Sequence, residues 1–228
     1  MRIVAINGSP KGKDGNTNVI VEHLFKGAQE AGAETRNIFL AEKEINHCRG
    51  CHICWTRGPG QCVISDDMPE VLAMMGSSDV ILFASPVYFG NISGMLKTFM
   101  DRMTMIGSPH TAAGTKENSP EAGTKEAAQP AAPAAQAAPK LMMVSSCGFS
   151  DRGEFEVTSL WINKVAQKMN MELIGEIYAT NGKAFHTSPE ALDSKISDYL
   201  QHAEQGGKEI AAAMNLSAAT KKALEQLI

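Results

Sequence analysis

No apolar run in this chain of 228 residues approaches the roughly 20 residues that a membrane-spanning helix needs, so no span is expected. There is no basic stripe either. The 21 Lys and Arg residues are interspersed with 25 Asp and Glu, leaving a formal charge of −4. Without a continuous cationic surface, nucleic acid and anionic membrane are excluded as first partners. Met1 runs directly into Arg2-Ile3-Val4-Ala5-Ile6, which leaves no room for a charged leader, an apolar stretch and a cleavage site. A cytoplasmic location is expected. No repeat of solenoid period is present. The five cysteines are not spaced as a disulfide framework, since four of them fall between Cys48 and Cys62. In a reducing compartment such crowding points to metal binding or redox chemistry.

What is present is an alternation of strands and helices. Strands are expected at Arg2 to Ile6, Glu34 to Leu40, Asp79 to Ala84, Leu141 to Ser146 and Leu173 to Ala179. Helices are expected at Thr17 to Ala31, Met68 to Met75, Ser93 to Met105 and Gly153 to Met169. Further helical stretches are expected at Ala191 to Ala203, Lys208 to Met214 and Ser217 to Ile228. Strands that are almost continuously apolar belong to parallel sheets buried on both faces. The fold expected is therefore α/β, a doubly wound five-stranded parallel sheet in three αβα layers. From about 107 to 139 the composition turns to Ala, Pro, Gly, Thr and Lys, too poor in core-forming side chains to order itself. That stretch reads as a mobile insertion into a single domain spanning 1–228, with a helical tail at about 205–228.

Ligands of such sheets sit at the carboxyl ends of the strands. The first of these loops reads Asn7-Gly8-Ser9-Pro10-Lys11-Gly12-Lys13-Asp14-Gly15-Asn16-Thr17-Asn18. It matches neither the G-x-x-x-x-G-K-[ST] loop nor G-x-G-x-x-G, which argues against a nucleoside triphosphatase and a standard dinucleotide fold. Hydroxyls at Ser9 and Thr17, the Asn16 amide, Lys11 and the N–H groups of the helix start suit one terminal phosphate. A polar turn with Asn16 or Thr17 capping the helix fits the local chemistry equally well.

The second segment, Ser85-Pro86-Val87-Tyr88-Phe89-Gly90-Asn91 continuing to Arg102, directly follows the Asp79 to Ala84 strand. Together with Asn7-Gly8-Ser9-Pro10 and Gly15-Asn16-Thr17, it resembles the NAD(P)H-dependent FMN reductase and iron–sulfur flavoprotein group of flavodoxin-like proteins, closely over about residues 1 to 105. The resemblance implies that Ser9, Lys11, Asn16 and Thr17 hold the FMN phosphate. It also implies that Pro86, Val87, Tyr88, Phe89 and Gly90 wrap the isoalloxazine. Without a phosphate loop, Tyr88 and Phe89 would read as core packing. Lys97, Asp101 and Arg102 read as an ion-pair set on one helix face, and Cys147 as a buried thiol.

Cys48-x2-Cys51-x2-Cys54-x7-Cys62, with a turn at Gly58-Pro59-Gly60, lets one short loop wrap a cubane. The pattern resembles that of the iron–sulfur flavoproteins, which implies a 4Fe-4S cluster. A thiol loop without a cluster remains open, and zinc fits the spacing less well. His47 and His52 read as solvated, and Asp66 and Asp67 as charges at a helix start. The activity implied is hydride transfer from NADH or NADPH to FMN, with electrons passed to a small-molecule or protein acceptor. A carrier serving ferredoxin-like partners without nicotinamide activity is the alternative. The resemblance further implies a homo-oligomer.

Overall fold

The strands at Arg2–Asn7, Val80–Pro86, Lys140–Ser146 and Leu173–Ala179 are buried along most of their length because each lies between two helical layers, whereas the edge strand Glu34–Phe39 is buried only at its last two residues. The computed structural model describes residues 1–57, 61–106, 138–187 and 190–225. The first half runs β1 (Arg2–Asn7), α1 (Asn16–Glu30), β2 (Glu34–Phe39), α2 (Ile53–Arg57), α3 (Met68–Gly76), β3 (Val80–Pro86) and α4 (Gly94–Arg102). The second runs β4 (Lys140–Ser146), α5 (Glu156–Met169), β5 (Leu173–Ala179), α6 (Ala184–Thr187), α7 (Glu190–Ala213) and α8 (Ala218–Leu224). Among the described residues five strands form one sheet in the order β2-β1-β3-β4-β5, every pair parallel. This is the flavodoxin-like doubly wound arrangement, whose strand order reverses between β1 and β3.

Alternation along the strands builds two cores. Ile3, Ala5, Leu82, Ala84, Met142 and Val144 face α1, α7 and α8. Val4, Ile6, Ile81, Phe83, Leu141 and Met143 face α3, α4 and α5. The five expected strands all form, with ends shifted by two residues at most. The short helices α2 and α6 lack the several turns of apolar periodicity that make a helix visible in sequence. Most of the Ala/Pro-rich stretch, the Gly58-Pro59-Gly60 turn and residues 226–228 lie outside the described residues.

One expectation needs correction. The sequence reading gives Ala191 to Ala203 and Lys208 to Met214 as separate helical stretches, yet α7 runs unbroken through both and through Gly206-Gly207 between them. Glycine weakens a helix interior by about 1 kcal/mol relative to alanine, and here that cost is offset by proximity to α1. A Cβ on Gly207 would lie 1.9 Å from the Leu24 carbonyl oxygen, and one on Gly27 would lie 1.8 Å from that of Glu204. The two helices cross backbone to backbone. Glu204 fastens the crossing by accepting from Lys26 Nζ at 2.9 Å and pairing with His23 Nδ1 at 2.7 Å. Gly207→Ala should therefore lower stability by about 1–3 kcal/mol through overpacking, read as a lower urea midpoint. An unchanged midpoint would mean that the helices separate without loss.

Candidate functional site

The carboxyl ends of β1, β3 and β4 are tied together by short polar bonds. In the loop after β1, Asn7 Oδ1 accepts from Ser9 N at 3.0 Å. Asn7 Nδ2 and Asn37 Nδ2 both donate to Asn18 Oδ1, at 3.3 and 2.8 Å. These amides, buried at Asn7 and Asn18 and half-buried at Asn37, fold the loop back onto the start of α1. Gly15 is required there, because a Cβ would lie 2.4 Å from Ser9 Oγ. As the N-cap of α1 it supplies no side-chain acceptor, while its carbonyl accepts from Asn18 N at 2.8 Å, so the N–H groups that open the helix suit an anion. Ser9 and Thr17 are buried beside them, Asn16 is half-buried, and Lys11 is exposed on the rim. Thr17 Oγ1 and Ser146 Oγ share a hydrogen bond of 2.7 Å, which joins this cradle to β4. Gly182, after β5, closes the far side: a Cβ there would lie 3.2 Å from Asn16 Nδ2.

The loop after β3 carries the flat apolar surface. Tyr88 and Asn91 exchange both backbone hydrogen bonds, Tyr88 N to Asn91 O at 2.8 Å and Asn91 N to Tyr88 O at 3.2 Å. Between them Phe89 (φ 52°) and Gly90 (φ 73°) both adopt positive φ, the pattern of a type I′ turn. Glycine fits such a position. Phenylalanine in the left-handed region costs roughly 1–2 kcal/mol, and Phe89 regains none of it by packing, being fully exposed at 109%. Tyr88 is 47% exposed. Core packing is thereby ruled out for both, and a strained, exposed aromatic is a mark of a ligand clamp. Half-buried Pro86 and Val87 form the base of the hairpin, where Val87 N donates to Ser146 O at 2.8 Å. Ser93 joins the two loops. Its hydroxyl donates to Gly8 O at 2.6 Å and caps α4 by accepting from Leu96 N at 3.1 Å, and its N–H donates to Ser85 Oγ at 2.8 Å.

FMN fits this chain's residues on two structural grounds. An uncapped helix start lined by buried hydroxyls suits a phosphate, and an exposed aromatic hairpin suits a flat ring. Phe149, after β4, is likewise exposed. Cys147 is buried, as the sequence suggested, and burial pushes its thiol pKa up.

The cysteines occupy an arm between β2 and α3 whose neck is tightly fastened. Asp67 Oδ2 accepts from Glu44 N at 2.8 Å, and Asp66 accepts from Asn46 N at 3.0 Å and Met68 N at 3.2 Å. Arg102, at the end of α4, meets Asp66 through both terminal nitrogens, at 2.5 and 3.2 Å, and donates to Asn46 O at 3.0 Å. Both side chains of the pair are essentially buried, at 1% and 0% exposure. Arg102 therefore leaves the helix-face set expected from sequence, where only Lys97 and Asp101 pair, on the surface. Asp66 is likewise more than a helix-start charge. Burial alone would raise its pKa, but the hydrogen bonds from Arg102, Asn46 and Met68 outweigh burial and lower it.

Beyond the neck, Cys48 and Cys51 are exposed, and Cys54 and Cys62 are half-buried against the second core. The Arg102 charge also lies close enough to Cys62 to interact with it electrostatically. Burial first, then the nearby Cys62, Cys51 and Cys48, push the Cys54 thiol pKa up. Trp55 Nε1 donates to Thr104 O at 3.0 Å, His52 packs on Trp55 at 4.1 Å, and His47 pairs with Thr98 at 3.2 Å. Among the described residues, no group of three or more His, Cys, Asp or Glu is gathered as a closed metal site. As a donor set, four thiols without carboxylate or imidazole suit an iron–sulfur cluster.

A family model described as NADPH-dependent FMN reductase matches residues 1–186. An iron–sulfur flavoprotein of Methanocaldococcus jannaschii is 44% identical over 102 residues, 45% of this chain and 51% of that protein. One from Archaeoglobus fulgidus is 38% identical over 114 residues, 50% of each chain. The match thus spans about half the length of these relatives. Among solved structures, an NAD(P)H:quinone oxidoreductase from Methanothermobacter marburgensis superposes with TM-score 0.63 at 13% identity, covering 92% of this chain and 96% of that one. An FMN-dependent NADH-azoreductase from Bacillus anthracis, in complex with FMN, gives 0.61 at 16% identity, covering 93% and 98%. At these identities the likeness shows the fold alone.

Asp66→Asn should lower stability by about 3–5 kcal/mol, because it leaves Arg102 buried without a counter-charge. A loss below about 1 kcal/mol in chemical denaturation, the range of an exposed pair, would show that water screens this one. Phe89→Gly should raise stability by up to about 1 kcal/mol through relief of strain while weakening FMN binding. Equal or tighter FMN retention in that variant would remove Phe89 from the ligand clamp.

Proposed function

The chain belongs to the NADPH-dependent FMN reductase family, and we propose that it is an FMN-dependent oxidoreductase that takes hydride from NADH or NADPH and passes electrons to an acceptor. The observation that carries this reading is the joined pair of loops at the strand-order reversal, one offering an uncapped helix start and the other an exposed aromatic hairpin. Ser9, Asn16, Thr17 and the first-turn N–H groups of α1 hold the phosphate, with Lys11 adding charge at the rim. Pro86, Val87, Tyr88, Phe89 and Gly90 bear on the ring, shielding it from water and orienting one face toward the nicotinamide. FMN, when bound, supplies hydride acceptance at N5, so no side-chain general base is required.

The thiols of Cys48, Cys51, Cys54 and Cys62 would hold a 4Fe-4S cluster, whose chemistry is transfer of single electrons. Supporting this are the four-thiol donor set and the naming of several relatives as iron–sulfur flavoproteins. Arg102 holds a fixed positive charge beside Cys62. The proposal extends to a cytoplasmic homo-oligomer built from one domain over 1–228. Among the described residues no helix is long and apolar enough to cross a membrane.

The test is an absorption spectrum of anaerobically purified protein, with FMN, iron, sulfide and zinc quantified on the same sample. One FMN and about four irons with matching sulfide per chain is the expected result. FMN without iron or sulfide would reduce the proposal to a reductase with a thiol arm, and absence of flavin would overturn it.

A further inference from the structure

Away from both loops, a cleft of about 540 Å³ opens between α4, α5 and the cysteine arm. None of the residues assigned above to FMN lines it. Its walls are indoles. The chain has two tryptophans, and both Trp55 and Trp161 face the cleft. Each is held in place: Trp55 by its hydrogen bond to Thr104 O at 3.0 Å, and Trp161 by packing on Phe83 with ring centroids 6.1 Å apart. The walls are thus pre-set, while Met100, Met103 and Met169 between them supply a polarisable floor that adapts its shape. The cleft falls within the range of small-molecule sites, roughly 300–1,000 Å³.

The rim is cationic. Lys97, Lys164 and Lys168 border the cleft with one acid, Asp101, which is already paired to Lys97 at 2.5 Å. Among the described residues Lys164 and Lys168 have no ion-pair partner. They stand four residues apart on α5, so they repel across one helical turn, and an anion between them would relieve that repulsion. Fixed aromatic walls, an apolar floor and two neighbouring ammonium groups together select a flat apolar ring system bearing one acid group. From this juxtaposition we infer that the α4–α5 cleft is a binding site for an aromatic acid.

The chain carries its own reporter, since both tryptophans line the site. Anthraquinone-2-sulfonate is a suitable probe, being flat, monoanionic and unreactive toward thiols. Titrated into the FMN-loaded full chain, it should quench tryptophan emission saturably at one equivalent, with affinity that falls as salt is added. Lys164 and Lys168 are exposed, so Lys164→Glu/Lys168→Glu should fold normally by circular dichroism while binding the probe at least about tenfold more weakly, the equivalent of about 1.4 kcal/mol. Quenching that does not saturate, or an affinity unchanged in the double variant, would overturn the inference.

Discussion

The Ser93 hydroxyl is the joint on which the arrangement of the site depends. It accepts from Leu96 N to begin α4 and donates to Gly8 O in the loop after β1, while the Ser93 N–H is held by Ser85. One side chain thereby sets the loop after β1, the aromatic hairpin and the helix start relative to one another. The neighbourhood leaves little slack. Gly8 N donates to Ala84 O at 2.7 Å, and a Cβ on Gly8 would lie 2.6 Å from Leu96 Cβ. Parallel strands bring their carboxyl ends to one edge, but only such cross-bonds turn an edge into a site of defined shape.

From that joint α4 leads to the second candidate centre. Nine residues after Ser93 the helix ends at Arg102, whose guanidinium closes the neck of the cysteine arm through Asp66 and Asn46. At 1.5 Å rise per residue the two anchors are roughly 13 Å apart along the axis. The two loops proposed to hold the flavin and the neck of the cysteine arm are thus held at opposite ends of one short rigid element. The buried pair at its far end is costly to separate, because either charge left alone would remain out of water.

Much of this was legible in the sequence because the signals were regular or local. Strands buried on both faces announce themselves as apolar runs, and the Asn7 to Thr17 and Ser85 to Gly90 loops follow such runs directly. What the sequence withheld depends on distant partners. Ala191 to Ala203 and Lys208 to Met214 read as separate stretches until α1 is seen at backbone contact with Gly207. Arg102 reads as a surface charge by its spacing from Lys97, and only the return of the chain at Asp66, 36 positions away, explains why it turns inward. The link from Thr17 to Ser146 spans 129 positions and has no local signature. Tyr88 and Phe89 were visible as aromatics, but their exposure follows from a turn type that Phe89-Gly90, lacking the usual Asn or Asp, does not advertise.

The central claim is that this edge holds FMN open to a nicotinamide. It is tested most directly by mixing the anaerobic FMN-loaded protein with NADPH, and separately NADH, while following the visible flavin absorption without any partner protein. The account predicts bleaching by at least one of the two nucleotides. Flavin that stays oxidised with both, yet is bleached at once by a chemical reductant, would contradict it and leave a carrier without nicotinamide activity.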